Sequence, residues 1–206
     1  MSDEAKNVWD VVLACIGMIG VVLGFLSARR EWRISQWWRR SEELDRMVQL
    51  FGNDSRLQLA TIVVDWTDRT VEYRGGQLEI SNDEALLALR YHGDLPERVC
   101  YSGKQDVIRD AYDAFLTFCL RLSLSIEAGR IETEPAKLYF KYWVELFLTM
   151  SRHIDDNRVL IDPKNTRSPG SPRQVAWRYV EMYGGREAAN AMDMLCSRLG
   201  VDRLAT

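Results

Sequence analysis

The chain opens with one long apolar run and then settles into shorter periodic segments. From Val11 to Ala28 there is no charged side chain. Eighteen residues of helix at about 1.5 Å each extend about 27 Å, close to the roughly 30 Å hydrocarbon core of a bilayer. The pattern predicts a transmembrane helix over Val8–Ala28, with Asp10 near its outer edge. A secretory signal peptide fits poorly. Asp3 and Glu4 accompany Lys6 where a basic region is needed, and the run ends directly in arginine. A buried core helix is usually shorter and more interrupted.

Nothing between Arg29 and Leu50 breaks a helix, and Gly52 and Asn53 are the first stop signals. Ile34, Trp37, Ser41, Leu44, Val48 and Phe51 recur at three and four residues. That seam is under three heptads, too short for a coiled coil. Residues 29–52 therefore read as a juxtamembrane amphipathic helix lying on the membrane or on its own domain.

Residues 53–206 read as a helical domain. Asn53 to Trp66 predicts a helix with Leu57, Ile62 and Val63 apolar. Between Thr70 and Ser81 the period changes to two: Val71, Tyr73, Leu78 and Ile80 alternate with polar residues around Gly75-Gly76. That is a hairpin signal. Ser81 with Glu84 forms a capping box for a helix closed by Gly93, and Ser102 with Gln105 opens a long one ending near Gly129. Its apolar face is Ile108, Ala111, Phe115, Phe118, Cys119, Leu122 and Ile126. Thr133 and Pro135 open the next, with Tyr139, Tyr142, Trp143, Leu146, Phe147 and Met150 as the expected face. These two helices should form a central antiparallel hairpin. Asp155–Gly170 reads as a loop. Ser171, Pro172 and Gln174 start a helix through Tyr183, Gly184-Gly185 stops it, and Arg186–Leu199 is the last. The fold class is mainly α: one transmembrane helix continuing into a cytoplasmic helical bundle, with one small β-hairpin over 70–81.

The flanks of the apolar run orient it. Arg29, Arg30, Arg33, Arg39 and Arg40 follow it, opposed there only by Glu31. Positive charge stays on the cytoplasmic side. Residues 1–7 should be a short external N-terminus and the rest cytoplasmic. Trp9 marks one interface, and Trp32, Trp37 and Trp38 mark the other. Within the run, Gly17, Gly20, Gly24 and Ser27 form a ridge of small residues, a surface that lets membrane helices approach closely. It makes a homo-oligomer the expected state, with the lipid bilayer as first partner.

Charge and cysteine content narrow the chemistry. The net charge of the 206 residues is −3, so bulk electrostatics argue against nucleic acid as a partner. Arg152, Arg158, Lys164, Arg167, Arg173 and Arg178, with Trp177 and Tyr179, make a local basic patch; a solvated or lipid-facing loop explains it more simply. Cys15, Cys100, Cys119 and Cys196 are widely spaced and the only histidines are His92 and His153. No metal site of the usual spacing is present, no cofactor motif occurs, and four free thiols are expected. His153 with Asp155 and Asp156 is the best catalytic-looking cluster, although HIDDNR is also ordinary composition for a helix end. Glu132 and Glu134 suit a helix N-terminus rather than catalysis.

The stretch AFLTFCLRLSLSIEAGRIETEPAKLYFKYWVELFLTMSRHI, with its turn AGRIETE and the pair Tyr142-Trp143, resembles a widespread uncharacterised bacterial family. Members carry one N-terminal span and a small helical body. The resemblance implies that fold and placement, carries over no catalytic residue, and suggests a role beside bacterial stress or antiphage systems. The reading is a non-enzymatic, membrane-anchored protein acting by self-association and by recognising an unidentified protein partner. The alternatives are a membrane-perturbing effector assembled through the glycine ridge, and an enzyme using His153 and the adjacent acids.

Overall fold

The computed structural model describes residues 3–65, 69–73, 75–89, 101–149 and 172–201; for 3–15, 69, 82, 83, 149 and 172–174 it describes the backbone alone. In chain order the elements are α1 (Asp3–Asn53), α2 (Ser55–Asp65), β1 (Arg69–Tyr73), β2 (Gly76–Ile80), α3 (Asn82–Ala88), α4 (Gly103–Glu127), α5 (Thr133–Thr149) and α6 (Pro172–Leu199). The protein is mainly helical, with one two-stranded antiparallel sheet among the described residues. The chain divides into two units, Met1–Glu42 and Glu43–Thr206.

In the first unit the helix runs unbroken, as the absence of Gly-Pro punctuation after Ala28 predicts. Every described side chain from Ile16 to Glu42 is exposed except half-buried Gln36. No helix among the described residues is long and apolar enough to cross a membrane. Their apolar run is Ile16–Ala28, about 20 Å of helix, and it ends in Arg29, Arg30, Glu31 and Arg33. The span expected from Val8 has its residues up to Cys15, Trp9 included, outside the described side chains.

The second unit begins within α1. Leu44, Val48, Leu50 and Phe51 pack against the core and Met47 is fully buried, so the later half of the expected seam lies on the protein's own body. Ile34 and Trp37, from the earlier half, are exposed. The helix stops at Asn53 and α2 starts at Ser55. Asp54 is the hinge between them: its backbone N–H donates to Leu50 O at 3.1 Å, and its side chain caps α2 by accepting from the Arg56 N–H at 2.8 Å. The α2 core residues are Leu57, Leu59, Ala60, Val63 and Val64; Ile62 is only half-buried.

The hairpin has the expected faces and a turn displaced by one residue. Val71 pairs with Leu78, and Tyr73 with Gly76. Gly76 is thus in the strand, and Gly75, at φ +79°, is the second residue of a two-residue turn. A positive φ there is what a tight hairpin of this twist requires. Ile80 is buried, and Val71, Tyr73 and Leu78 pack against the core. Lys104 Nζ donates to Glu79 O at 3.0 Å, tying the second strand to the first turn of α4.

The predicted capping boxes are present at Ser81–Glu84 and Ser102–Gln105. The helix after Ser81 ends at Ala88 with Leu89 as its C-cap, and Gly93 lies outside the described residues; the Leu89 N–H turns back to Leu86 O at 3.3 Å, a tightened last turn. At the far end of α4, Arg130 N donates to Ser125 O and Gly129 N to Ile126 O, with Gly129 at φ +66°. This Schellman geometry satisfies the last carbonyls and turns the chain into α5. Pro135 lies in the first turn of α5, where its missing N–H costs nothing.

All seven expected α4 core residues are buried, joined by Tyr112, Leu116 and Ser123. The expected face of α5 is rotated. Of that face Leu146 and Phe147 are buried and Trp143 packs on the core, but Tyr139 and Tyr142 are about half exposed, and Ala136, Phe140, Val144 and Leu148 complete the buried side. The helix is apolar on several sides, so spacing alone allowed either stripe. The tyrosines take the border, where Tyr142 donates to Asp65 Oδ1 at 2.7 Å. Met150 lies outside the described residues.

The α4–α5 pair is antiparallel, and its contact is aromatic. Ring centroids of Phe115 and Phe147 lie 4.8 Å apart, and those of Phe118 and Phe140 5.1 Å. The nearest backbones around α4 belong instead to α2, α3 and α6, because the large rings fill the space between α4 and α5. In α6 the break predicted at Gly184-Gly185 is present: Gly185 has φ +65°, ψ −157°, a conformation open essentially to glycine alone. A Cβ on Gly184 would lie 2.5 Å from the Ala188 Cβ.

Rotation of the α5 stripe predicts unequal costs. Phe147→Ala should destabilise the folded body by about 3–5 kcal/mol, the loss of a fully buried aromatic. Tyr139→Ala should cost under about 1 kcal/mol, as expected of a surface position. Urea unfolding followed by tryptophan fluorescence measures each; equal losses would place Tyr139 in the core.

Candidate functional site

The outer face of α4 carries a polar stripe parallel to its apolar one. Asp110, Asp113, Thr117 and Arg121 follow one another by three or four residues, so they share a side of the helix. Opposite them stand Leu50, the start of α2 with Asp54, Arg56 and Leu57, and Tyr183 from α6. Together with Ala114 and Phe118 these residues line a cleft of about 310 Å³, near the lower end of the range for small-molecule sites.

Arg56 is held at the mouth. Its guanidinium donates to both oxygens of Asp54, at 3.3 and 3.1 Å, and lies 3.8 Å from Asp110. The hydrogen bond from Arg56 keeps the Asp54 carboxyl below the usual carboxylate range, against a smaller opposing effect of burial.

Asp113 behaves oppositely. Half-burial pushes its carboxyl up, and neighbouring Asp110 adds to this, although a hydrogen bond from Tyr179 and the charge of Arg109 pull it down. Tyr179 is buried and donates its hydroxyl to Asp113 Oδ1. Burial and then that carboxylate raise the phenol well above its ordinary value. Arg109 is placed by Ala88 O at 2.7 Å and the Tyr101 hydroxyl at 3.1 Å, with its guanidinium 4.5 Å from the Tyr101 ring centroid and 5.2 Å from that of Tyr179. This network joins α3, α4 and α6 behind the cleft.

Two hydroxyls sit midway along it. Thr117 Oγ1 donates to Asp113 O at 2.8 Å and lies 2.6 Å from the Tyr183 hydroxyl. With the threonine proton committed to the carbonyl, Tyr183 must donate to Thr117, and its oxygen keeps accepting capacity toward the cleft. Arg121 is exposed at the other end, and no hydrogen bond or ion pair engages it among the described residues. The lining holds no cysteine, histidine or serine. Its chemistry is that of binding through charge and hydroxyl contacts.

The residues expected to carry function are scattered otherwise. His153, Asp155 and Asp156 lie outside the described residues, as do most members of the basic patch. Of that patch's aromatics, Tyr179 is buried in the core and Trp177 is half-buried against it. Gly17, Gly20, Gly24 and Ser27 are exposed along the first unit, with Arg29, Arg30, Trp32, Arg33, Trp37, Trp38, Arg39 and Arg40 beyond them. Cys119 and Cys196 are buried and not joined in a disulfide; burial and the neighbouring Cys196 push the Cys119 thiol well up, which makes it unreactive. Glu134 stands in the first turn of α5 and accepts from Lys137 at 2.6 Å, in keeping with the dipole role. No group of three metal-ligating side chains occurs among the described residues. Sequence reasoning missed the cleft: the signal was the polar stripe on α4, which reads as an ordinary solvated face.

No family model matches this chain, and neither a curated protein nor a solved structure matches it. The resemblance noted for residues 114–154 rests on the quoted residues alone.

Asp54 gives a pH prediction. Its folded carboxyl is depressed, so its contribution is complete above the unfolded value of about 4 and is lost as pH falls through the lower folded value. Asp54→Asn keeps a capping oxygen but removes the charge that Arg56 pairs with, so it should lower stability at pH 7 by under about 1 kcal/mol. The gap between the two proteins in thermal melts should narrow toward pH 3, and a gap constant with pH would contradict the assignment.

Proposed function

We propose that this chain is a single-span, membrane-anchored helical protein of a bacterial inner membrane. It acts by self-association and by recognising a protein partner at the cytoplasmic face. One observation carries the reading. Ile16, Met18, Ile19, Val21, Val22, Leu23, Phe25 and Leu26 are each more than half exposed on the first unit. Leaving such side chains in water forgoes about 1.5–3 kcal/mol apiece, and contiguous apolar patches of this kind mark surfaces that another phase or partner covers. Lipid is the cover best matched to the eighteen uncharged residues of Val11–Ala28. The arginines that follow, with exposed Trp32, Trp37 and Trp38, suit a cytoplasmic interface. A place beside bacterial stress or antiphage systems rests on the family resemblance.

Expected topology is N-terminus out. A reporter active only in the cytoplasm, fused after Thr206, should be active, and one active only outside should be silent. The reverse pair of results overturns the orientation; recovery of the intact protein in the soluble fraction overturns the anchor.

The small-residue ridge supports self-association. At about 100° per residue, Ser27, Gly20, Gly24 and Gly17 fall within about 80° of arc, and the large apolar side chains occupy the rest. A Cβ added at Gly17, Gly20 or Gly24 would meet nothing within 4 Å, so no described group covers the ridge. Two such faces can bring backbones into close packing. Gly20→Leu/Gly24→Leu should still insert but lose cross-linking between copies, while Leu23→Ala, off the ridge, should cross-link normally. Equal cross-linking by all three proteins would remove the ridge from the interface.

A further inference from the structure

We propose that the cleft between α2, α4 and α6 binds a small zwitterion, an amino acid-like molecule with a primary ammonium and a carboxylate separated by a few bonds. The lining is divided by charge. Asp110 and Asp113 stand at one end and Arg121 at the other, with Thr117 and Tyr183 between them. Asp113 and Arg121 are about 12 Å apart along the helix axis at 1.5 Å per residue, and their side chains close part of that gap.

Each polar group has a defined capacity left over. Arg56 is already engaged by Asp54 and Asp110, so it offers little charge to a ligand. Arg121 is the lining cation without an ion pair among the described residues, and its planar fork fits a carboxylate bidentately. The second oxygen of Asp113 and the Tyr183 hydroxyl oxygen are acceptors, the pair an ammonium needs. Leu50, Leu57, Ala114 and Phe118 supply an apolar floor for a short methylene chain.

Volume sets the size. The cleft offers about 310 Å³, near the lower end of the range for small-molecule sites. An α,ω-amino acid of four to six carbons fits this space. The ligand also completes the site electrostatically: its carboxylate offsets Arg121, and its ammonium offsets Asp113, which half-burial chiefly and then Asp110 push up.

The test is titration calorimetry on the full chain in detergent micelles at pH 7.5, with 4-aminobutanoate and 6-aminohexanoate as probes and butylamine and butyrate as singly charged controls. At least one amino acid should bind saturably, and each control about tenfold more weakly or worse, because losing one charged contact is a large part of a small ligand's affinity. Arg121→Gln should weaken the amino acid about tenfold. Asp110→Asn, at a half-exposed position, should weaken it while leaving the thermal melt of the protein within a few degrees. Absence of saturable binding by either amino acid to folded protein overturns the proposal. So does binding undiminished by Arg121→Gln, or butylamine or butyrate binding as tightly as the zwitterion.

Discussion

Phe51 is the contact on which the folded body depends. It comes from the end of α1 and meets four rings of the two central helices: Phe118 at 5.0 Å, Phe140 at 5.6 Å, Trp143 at 6.1 Å and Phe115 at 6.3 Å between centroids. Aromatic pairs at such distances contribute about 0.5–1.5 kcal/mol each beyond the area they bury. The ladder continues through Phe147, Tyr112 and Tyr179 to α6. One set of rings thus ties α1, α4, α5 and α6 together. It also sets the spacing of α4 from α5, since bulky rings hold their backbones apart.

That spacing has a functional consequence. With α5 on its apolar side, α4 presents its polar stripe outward, and α2 and Tyr183, just before the break in α6, close over the stripe from either flank. The cleft owes its position to the core: Phe118 belongs at once to the aromatic ladder and to the cleft floor. The ion pair of Arg56 with Asp54 fixes one rim, and the bond from Tyr179 to Asp113 fixes the back. Half-buried carboxyls with opposite displacements, Asp54 down and Asp113 up, stand within one small site. Such separation arises because Asp54 faces a guanidinium directly while Asp113 is mainly desolvated.

The two units obey different rules. From Glu43 onward apolar residues are gathered into one core. From Ile16 to Leu26 they face outward on every side that the glycine ridge leaves free. A helix apolar all round asks for an apolar surrounding, whereas the body from Glu43 onward supplies its own. The proposed anchoring and the proposed ligand site therefore rest on separate residues and separate physical arguments.

Local signals were legible in the residues themselves. The capping boxes at Ser81 and Ser102, the hairpin alternation, the Gly184-Gly185 break, the turn at Gly129 and the whole apolar stripe of α4 follow from interactions within four or five residues, which a linear reading can see. Three features needed the tertiary structure. Which stripe of α5 is buried was decided by the rings of α4 and Phe51, because the helix has more apolar residues than one face can hide. The half of the α1 seam that packs on the body was decided by where Phe51 finds its partners. The cleft was decided by bringing Asp54 and Arg56 to Asp110, Asp113 and Arg121 across more than fifty residues of chain. Charge complementarity over that separation leaves no periodic trace in a sequence, so only folding reveals it.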